Sequence, residues 1–186
     1  MTTTLVLGGA RSGKSAYAEK LAVESGRCVV YIATARSGGD GEMSARIAQH
    51  RSDRPQHWST VEEPVHLADA IGRYSTKHNL ILVDCLTLWL SNLMFPSGGD
   101  APDVANIALP PLFHQQRAAL LDVLQHAAGD VVLVSNEVGM GIVPLGAVSR
   151  CFVDEAGRLN QAVAAACDRA LFVAAGLPLI LKAGPC

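Results

Sequence analysis

A glycine-rich segment near the N-terminus carries the residue types with the clearest chemistry. It reads GGARSGKS and fits the phosphate-loop pattern G-x-x-x-x-G-K-S/T. Its glycines let backbone N–H groups surround a phosphate without a Cβ in the way. In such a loop Lys14 reaches the β- and γ-phosphates, and the Ser15 hydroxyl binds Mg²⁺. We therefore predict that the following residues bind nucleotide: Gly8, Gly9, Ala10, Arg11, Ser12, Gly13, Lys14 and Ser15.

A carboxylate at the end of a later apolar run is the second candidate. The segment Leu80–Asp84 reads LILVD, four aliphatic residues followed by an acid. In phosphate-loop proteins the acid at such a strand end coordinates Mg²⁺, directly or through water, opposite the loop hydroxyl. We therefore predict that Ser15 and Asp84 hold Mg²⁺ and that Asp84 belongs to the nucleotide site.

His50 lies in an arginine-rich stretch and is a candidate nucleophile. Neutral imidazole attacks phosphorus well and leaves it well, so a histidine can carry a phosphoryl or nucleotidyl group. Three arginines flank His50 in the sequence and would stabilise charge on a reacting phosphate: Arg46, Arg51 and Arg54. Spacing alone nevertheless favours a solvated helix end, because positive charge suits a helix C-terminus.

Apolar runs and helical periodicities indicate the elements that position these residues. Strands are predicted at Thr3–Leu7, Cys28–Ile32, Leu80–Asp84, Asp130–Ser135, Ala170–Val173 and Leu177–Lys182, with a possible edge strand at His57–Val61. Helices are predicted at Ala16–Ser25, Glu42–Ser52, His66–Tyr74, Leu86–Phe95, Leu109–Ala128 and Val148–Asp168. This alternation predicts an α/β fold, a single domain over residues 1–186 with a doubly wound, mostly parallel sheet of five or six strands flanked by helices. Ligands of such sheets bind at the carboxyl ends of the strands, which for the second strand is Ala33–Ala35.

The composition of the chain argues against several classes of protein. Fifteen basic and 17 acidic residues give a net charge of −2, so we expect no nucleic-acid partner. No uninterrupted apolar run is long enough to span a membrane, and the N-terminus lacks the basic residues of a signal peptide. The five cysteines are scattered and form no C-x-x-C pair, which indicates reduced thiols and a cytoplasmic location.

Seven segments, in order along most of the chain, resemble one enzyme family. They are GGARSGKS at 8–15, YIATA at 31–35, EMSARIAQHRSDRP at 42–55, W-x-T-x-E at 58–62, LVDCLTLWLSN at 82–92, VSNEVGMGIVP at 134–144 and AGRLNQ at 156–161. Together they resemble the bifunctional adenosylcobinamide kinase/adenosylcobinamide-phosphate guanylyltransferase family of cobalamin synthesis. The GARSGKS, H-R-x-x-R-P and NEVGMGIVP segments make the combination specific.

The resemblance implies a P-loop NTPase-like fold and two activities. ATP or GTP phosphorylates the aminopropanol hydroxyl of adenosylcobinamide, and GTP then transfers GMP to that phosphate with release of pyrophosphate. In this family the histidine that matches His50 carries GMP covalently, which reverses the interpretation from spacing alone. The nucleotide contacts implied beyond the phosphate loop are Ala33, Thr34, Ala35, Arg51, Ser52, Asp53, Arg54, Glu62 and Asp84.

The resemblance also implies a homo-oligomer, a trimer, with the nucleotide site near a subunit boundary. An apolar helix at Leu86–Phe95, either partly buried or in a subunit interface, would suit such a boundary. His50 must meet the α-phosphorus while the loop holds the β- and γ-phosphates. Either the helix Glu42–Ser52 moves on a glycine hinge, or both reactions use one site with two poses of the nucleotide.

Several roles stay open at this stage. Asn136 and Glu137 either orient substrate or Mg²⁺, or cap the glycine-rich loop that follows them. Arg158 and Asn160 either touch substrate, bridge subunits or lie on a plain surface. The other histidines lack the spacing of a metal site. Two competing functions use the same phosphate loop: a simple small-molecule kinase, and a nucleotide-dependent switch.

Overall fold

The computed structural model describes residues 1–36, 55–96 and 107–184. The strands in these ranges are β1 (Thr3–Gly8), β2 (Cys28–Ala33), β3 (Ser59–Glu62), β4 (Asn79–Asp84), β5 (Asp130–Asn136), β6 (Arg169–Ala174) and β7 (Leu177–Lys182). The helices are α1 (Lys14–Glu24), α2 (Leu67–Tyr74), α3 (Leu86–Met94), α4 (Pro111–His126) and α5 (Ala147–Ala166). The predicted helix Glu42–Ser52 lies outside the described residues.

The described strands join in one sheet with the order β3-β2-β4-β5-β1-β6-β7. β1 to β6 run parallel to one another, and β7 runs antiparallel to β6. The mostly parallel α/β sheet predicted from the sequence is therefore confirmed. The predicted count of five or six strands was too low, because the possible edge strand does form, as β3, beside β2.

Side chains alternate between two apolar layers, one on each face of the sheet. Along β4, Leu82 packs in the layer beneath α1, whereas Ile81 and Val83 pack on the opposite face. That opposite layer contains the buried faces of the other four described helices, α2 to α5. Burial of each such aliphatic side chain contributes about 1.5–3 kcal/mol relative to leaving it exposed, so both layers stabilise the sheet.

Helix α3 lies inside the core of its own chain. Leu86, Trp89 and Leu90 are at most 1% exposed, and the Trp89 indole Nε1 donates a hydrogen bond of 2.8 Å to the carbonyl of Val65. The sequence left two alternatives for this segment, partial burial or a subunit interface, and the structure shows burial within the chain. Its apolar character is explained by contacts within the chain, so it gives no support to a subunit boundary at this helix. Among the described helices, none combines the length and the apolar character needed to cross a membrane.

Asp168, just after α5, is hydrogen-bonded to Thr3 at the start of β1. Its Oδ2 accepts hydrogen bonds from the Thr3 backbone N–H at 2.7 Å and from the Thr3 hydroxyl at 3.0 Å. The backbone N–H of Asp168 in turn donates to the Thr3 Oγ1 at 3.0 Å. The backbone N–H of Thr3 is the main cause that lowers the pKa of the Asp168 carboxyl below its ordinary value of 3.8.

Replacement of Asp168 by alanine is expected to lower the free energy of unfolding by about 1.5–3 kcal/mol at pH 7, because hydrogen bonds to a charged group are lost. A carboxyl whose pKa is lowered in the fold stabilises the protein above pH 3.8 and loses that contribution as the pH falls. Urea unfolding of wild type and Asp168→Ala should therefore differ more at pH 7 than at about pH 3.

The matched control is Asp122→Ala, since Asp122 is 78% exposed on α4. It should change stability by less than about 0.5 kcal/mol. An Asp168→Ala loss that stays the same at both pH values would contradict an electrostatic role for this carboxylate.

Candidate functional site

The phosphate loop has the predicted strand–loop–helix arrangement. β1 ends at Gly8, and α1 begins at Lys14. Gly13 precedes the helix in the left-handed region, with φ of 92°, and its carbonyl accepts the first helical hydrogen bond, from Tyr17 N–H at 2.9 Å. Within the loop the Ser12 N–H donates to the Gly9 carbonyl at 3.3 Å. The N-terminus of α1 therefore opens directly at the loop, where its positive end favours a phosphate.

The turn between β6 and β7 packs on this loop, a contact that sequence reasoning missed. The Gly176 N–H donates to the Ser12 carbonyl at 2.8 Å. A Cβ built on Gly13 would lie 2.9 Å from the Gly176 Cα, and one built on Gly8 would lie 2.6 Å from the Val173 carbonyl oxygen. Glycine at positions 8 and 13 is thus required by packing within the chain as well as by the space that a phosphate needs.

Lys14 points back over the loop from the first residue of α1. Its Nζ donates to the Gly9 carbonyl at 3.1 Å, so the ammonium group lies beside the backbone that would surround a phosphate. Ser15 follows as the second residue of the helix. Ala10 and Arg11 complete the loop, Arg11 with φ of 55°. The loop thus brings a cation, a hydroxyl and a helix N-terminus to one place.

Asp84 ends β4 on the face of the sheet that α1 covers. Leu82, two residues earlier, packs in the layer beneath α1, and side chains two apart share a face. The Tyr31 hydroxyl donates a hydrogen bond of 2.6 Å to the Asp84 Oδ2. Asp84 and the phosphate loop are therefore on the same face and the same edge, as an oxygen ligand for Mg²⁺ opposite Ser15 requires.

Thr34 has all its polar groups bound inside the chain. Its hydroxyl donates to the Cys85 carbonyl at 2.8 Å and accepts from the Cys85 N–H at 2.9 Å. Its N–H donates to the Asp84 carbonyl at 3.2 Å, and its carbonyl accepts from the Asn92 Nδ2 at 2.7 Å. Thr34 is also 0% exposed, so its side chain fixes the turn after Asp84.

The remaining predicted site residues lie at the same sheet edge or outside the described ranges. Ala33 pairs with Asp84 on one side and with Glu62 on the other, and Ala35 follows two residues later. Glu62 is exposed at the end of the edge strand β3. The predicted catalytic residue His50 and the predicted nucleotide contacts next to it fall outside the described residues: Arg51, Ser52, Asp53 and Arg54.

Asn136, whose role the sequence left open, lies at the edge of the candidate site. β5 lies between β1 and β4, and its last residue, Asn136, pairs with Gly8. Val134, two residues earlier, packs beneath α1, so the Asn136 side chain is on the same face as Asp84. Its Nδ2 lies 4.0 Å from the Cys85 sulfur. A polar residue at a strand end was the available signal, but only the strand order places it between the loop and Asp84.

The other open residues have roles within the chain. Glu137 caps the glycine-rich loop, since its Oε1 accepts from the Gly139 N–H at 2.6 Å. Asn160 is 6% exposed, accepts from the Ser135 hydroxyl at 2.7 Å and donates to the Asn136 carbonyl at 3.1 Å. Arg158, whose side chain is 59% exposed, forms an ion pair with the buried carboxylate of Glu155. Asn160 is therefore a buried support for Asn136 rather than a surface residue.

Cys85 follows Asp84 in the sequence and is a buried thiol beside the candidate site. Burial, and secondarily the Asp84 charge, raise the pKa of the Cys85 thiol to about 11. Cys85 is therefore a neutral thiol near pH 7 and no candidate for a nucleophile. In the described residues no group of three or more histidine, cysteine or acidic side chains could hold a metal ion. A Mg²⁺ ion bound here would take one carboxylate, one hydroxyl and phosphate oxygens, which is its usual ligand set.

Comparisons with known proteins agree with this geometry. The family model described as cobinamide kinase / cobinamide phosphate guanyltransferase matches residues 4–181. The bifunctional adenosylcobalamin biosynthesis protein CobP of Pseudomonas aeruginosa is 51% identical over 97% of this chain and 98% of its own. The bifunctional adenosylcobalamin biosynthesis protein CobU of Escherichia coli is 43% identical over 96% of this chain and 98% of its own.

A solved structure supports the fold alone. An ATPase from the type III secretion system of pathogenic bacteria superimposes with a TM-score of 0.55 and 12% identity. The alignment covers 96% of this chain, which spans 56% of that ATPase chain. The predicted P-loop NTPase-like fold is thus confirmed.

Alanine at Gly13 is expected to destabilise the chain more than alanine at Gly26. Both glycines have positive φ, 92° and 65°, so either substitution costs about 1–2 kcal/mol of backbone strain. Only at Gly13 does the new Cβ also meet a neighbour, the Gly176 Cα at 2.9 Å, whereas nothing lies within 4 Å at Gly26. Urea unfolding should show an additional loss of about 1 kcal/mol or more for Gly13→Ala. Equal losses would show that the β6–β7 turn does not constrain the loop.

Proposed function

Because the chain belongs to the cobinamide kinase / cobinamide phosphate guanyltransferase family, we propose that it phosphorylates adenosylcobinamide with ATP or GTP and then transfers GMP from GTP to the product. The observation that carries this proposal is the phosphate loop, with Lys14 and Ser15, on the same sheet face and edge as Asp84. The end products are adenosylcobinamide-GDP and pyrophosphate.

The phosphate loop performs the kinase step. Its backbone N–H groups and the N-terminus of α1 bind the phosphates, and the Lys14 ammonium neutralises charge on the β- and γ-phosphates. The aminopropanol hydroxyl of adenosylcobinamide attacks the γ-phosphorus. The bond between that phosphorus and the β–γ bridging oxygen breaks, and ADP or GDP leaves. The proton of the substrate hydroxyl is released to solvent in this step.

Ser15 and Asp84 are the proposed holders of Mg²⁺. Their hydroxyl and carboxylate oxygens are the hard donors that this ion prefers. When bound, the ion supplies positive charge to the β- and γ-phosphate oxygens. The chain's own contribution is to keep Asp84 on the α1 face, held by Tyr31 and by the turn that Thr34 fixes.

His50 is the proposed guanylyl carrier. Its imidazole attacks the α-phosphorus of GTP, the bond to the α–β bridging oxygen breaks, and pyrophosphate leaves. A phosphate oxygen of adenosylcobinamide phosphate then attacks the same phosphorus and releases the imidazole. The family resemblance of the H-R-x-x-R-P segment supports this role, and Arg51 and Arg54 would stabilise the charge that develops on phosphorus.

A homo-oligomer, a trimer by resemblance, is the proposed assembly. The outer edge strand β7 exposes four large apolar side chains by 56–72%, namely Leu177, Leu179, Ile180 and Leu181. The loop before α5 exposes Met140, Ile142, Val143 and Leu145 by 72–99%. Apolar surface of this extent is typical of contacts between subunits.

A cytoplasmic location is also proposed, because scattered cysteines without a C-x-x-C pair indicate reduced thiols. The four cysteines in the described ranges are free.

Incubation with α-labelled GTP and Mg²⁺ is expected to give an acid-labile, alkali-stable covalent label, as a phosphoramidate requires. His50→Ala should abolish the label and the guanylyl transfer but leave the phosphorylation of adenosylcobinamide. The matched control is His57→Ala, an exposed histidine, which should label like wild type. A simple kinase or a nucleotide switch would give no label.

Lys14→Ala should impair both reactions, because a charge-assisted contact of about 1.5–3 kcal/mol is removed. An unchanged kinase rate would contradict the assignment of Lys14 to the phosphates.

Loss of both activities in His50→Ala would indicate that His50 supports the structure rather than carries GMP.

Light scattering should give the mass of an oligomer for the wild-type chain. Leu179→Glu, in the middle of β7, should shift that mass toward the monomer, because a charge placed in an apolar contact is costly. Val23→Glu is the matched control, since Val23 is 58% exposed on α1. A monomeric wild type would exclude the assembly, and an unchanged mass for Leu179→Glu would remove β7 from the contact.

A further inference from the structure

The hydroxyl of Tyr31 is a polar group inside an apolar layer. Tyr31 is 1% exposed and packs beneath α1 with Val29 and Leu82. A buried phenol needs a hydrogen-bond partner, and its partner here is the Asp84 Oδ2 at 2.6 Å. Because a carboxylate only accepts hydrogen bonds, the phenol is the donor. The bond therefore joins the core of the protein to the carboxylate of the candidate site.

The register of the sheet makes this contact possible. Tyr31 pairs with Leu82 across β2 and β4, and Ala33 pairs with Asp84. Asp84 is thus two residues nearer the carboxyl edge than Tyr31, a separation of about 6.6 Å at 3.3 Å per residue. Both side chains lie on the α1 face, so the long tyrosine ring spans that offset and places its hydroxyl under the carboxylate. No shorter side chain at position 31 would reach.

A second contact from β2 fixes the backbone after Asp84. The Thr34 hydroxyl bonds both the N–H and the carbonyl of Cys85, and Asn92 holds the Thr34 carbonyl. The backbone at Asp84 is thus held by Thr34, while its side chain is held by Tyr31. With the backbone fixed in this way, the tyrosine hydroxyl sets the orientation of the carboxylate group.

We propose that Tyr31 is a positioning residue for the nucleotide reactions, which orients the Asp84 carboxylate toward the phosphate loop so that it meets the metal–nucleotide complex without rearrangement. The inference rests on the proposed function, since it takes Asp84 as the carboxylate that serves Mg²⁺. Tyr31 is 1% exposed and acts through Asp84. Its effect passes through the hydrogen bond to Asp84, and a carboxylate that is already oriented loses less conformational freedom on binding.

The test compares GTP binding with and without Mg²⁺, measured by calorimetry for wild type and Tyr31→Phe. Phenylalanine keeps the ring in the core and removes only the hydroxyl. We expect the Mg²⁺-dependent gain in GTP affinity to fall about ten-fold, the size of one hydrogen bond to a charged group. The affinity measured in EDTA should stay within about two-fold of wild type, which also shows that the variant is folded.

Tyr74→Phe is the matched control for loss of a tyrosine hydroxyl. Tyr74 ends α2 beside Asn79, at the opposite end of β4 from Asp84. This variant should bind GTP like wild type under both conditions. An equal loss in Tyr31→Phe and Tyr74→Phe would overturn the inference, as would a Tyr31→Phe variant with an unchanged Mg²⁺ dependence.

Asp84→Asn separates failure of this inference from failure of the proposed function. If Asp84→Asn reduces the Mg²⁺-dependent gain and Tyr31→Phe adds nothing further in that background, the two residues act as one unit and the proposal is supported. If Asp84→Asn reduces the gain but Tyr31→Phe alone does not, the positioning role is wrong and the metal role of Asp84 stands. If Asp84→Asn has no effect on the gain, the proposed metal site itself is wrong.

Discussion

The alternation of side chains along four parallel strands is the constraint on which the site depends. Val6, Val134, Leu82 and Tyr31 all pack beneath α1, one on each of β1, β5, β4 and β2. The residues two positions further along those strands must then face the same side: Gly8, Asn136, Asp84 and Ala33. A shift of one residue in β4 would turn Asp84 to the other face and separate it from the phosphate loop. The burial of apolar side chains beneath α1 therefore determines where the polar groups of the site lie.

Contacts within the chain hold the site from several directions. The loop is joined to the β6–β7 turn through Ser12 and Gly176, and to the end of β5 through the bond from the Glu137 N–H to the Gly8 carbonyl. Asp84 is joined to β2 through Tyr31 and Thr34. Groups held in this way lose little freedom when a triphosphate binds, which is the physical meaning of a preorganised phosphate site.

Local features of the fold and the site were predictable from the sequence, and non-local ones were not. The apolar run before GGARSGKS and the run LILVD each define a buried strand by their own composition, so β1, α1 and Asp84 were placed correctly. Strand order is set by contacts between distant segments, and for that reason the position of Asn136 between β1 and β4 could not be read from its neighbours. The same holds for Thr34, whose partner Cys85 is 51 residues away. The apolar helix α3 was ambiguous because core and interface helices have the same composition. The role of His50 stays a prediction.

The hydrogen bond between Gly176 and Ser12 joins two surfaces of the molecule. Gly176 lies in the turn that leads into the exposed apolar edge strand β7, and Ser12 lies in the phosphate loop. A second chain that covers β7 and shifts that turn would change the shape of the phosphate loop. The free energy with which that second chain binds would then depend on whether nucleotide is present. Thermodynamic linkage makes the dependence mutual: nucleotide would alter subunit affinity by the same factor by which assembly alters nucleotide affinity. Through this turn, the concentration of the chain would affect nucleotide occupancy, and nucleotide occupancy would affect assembly.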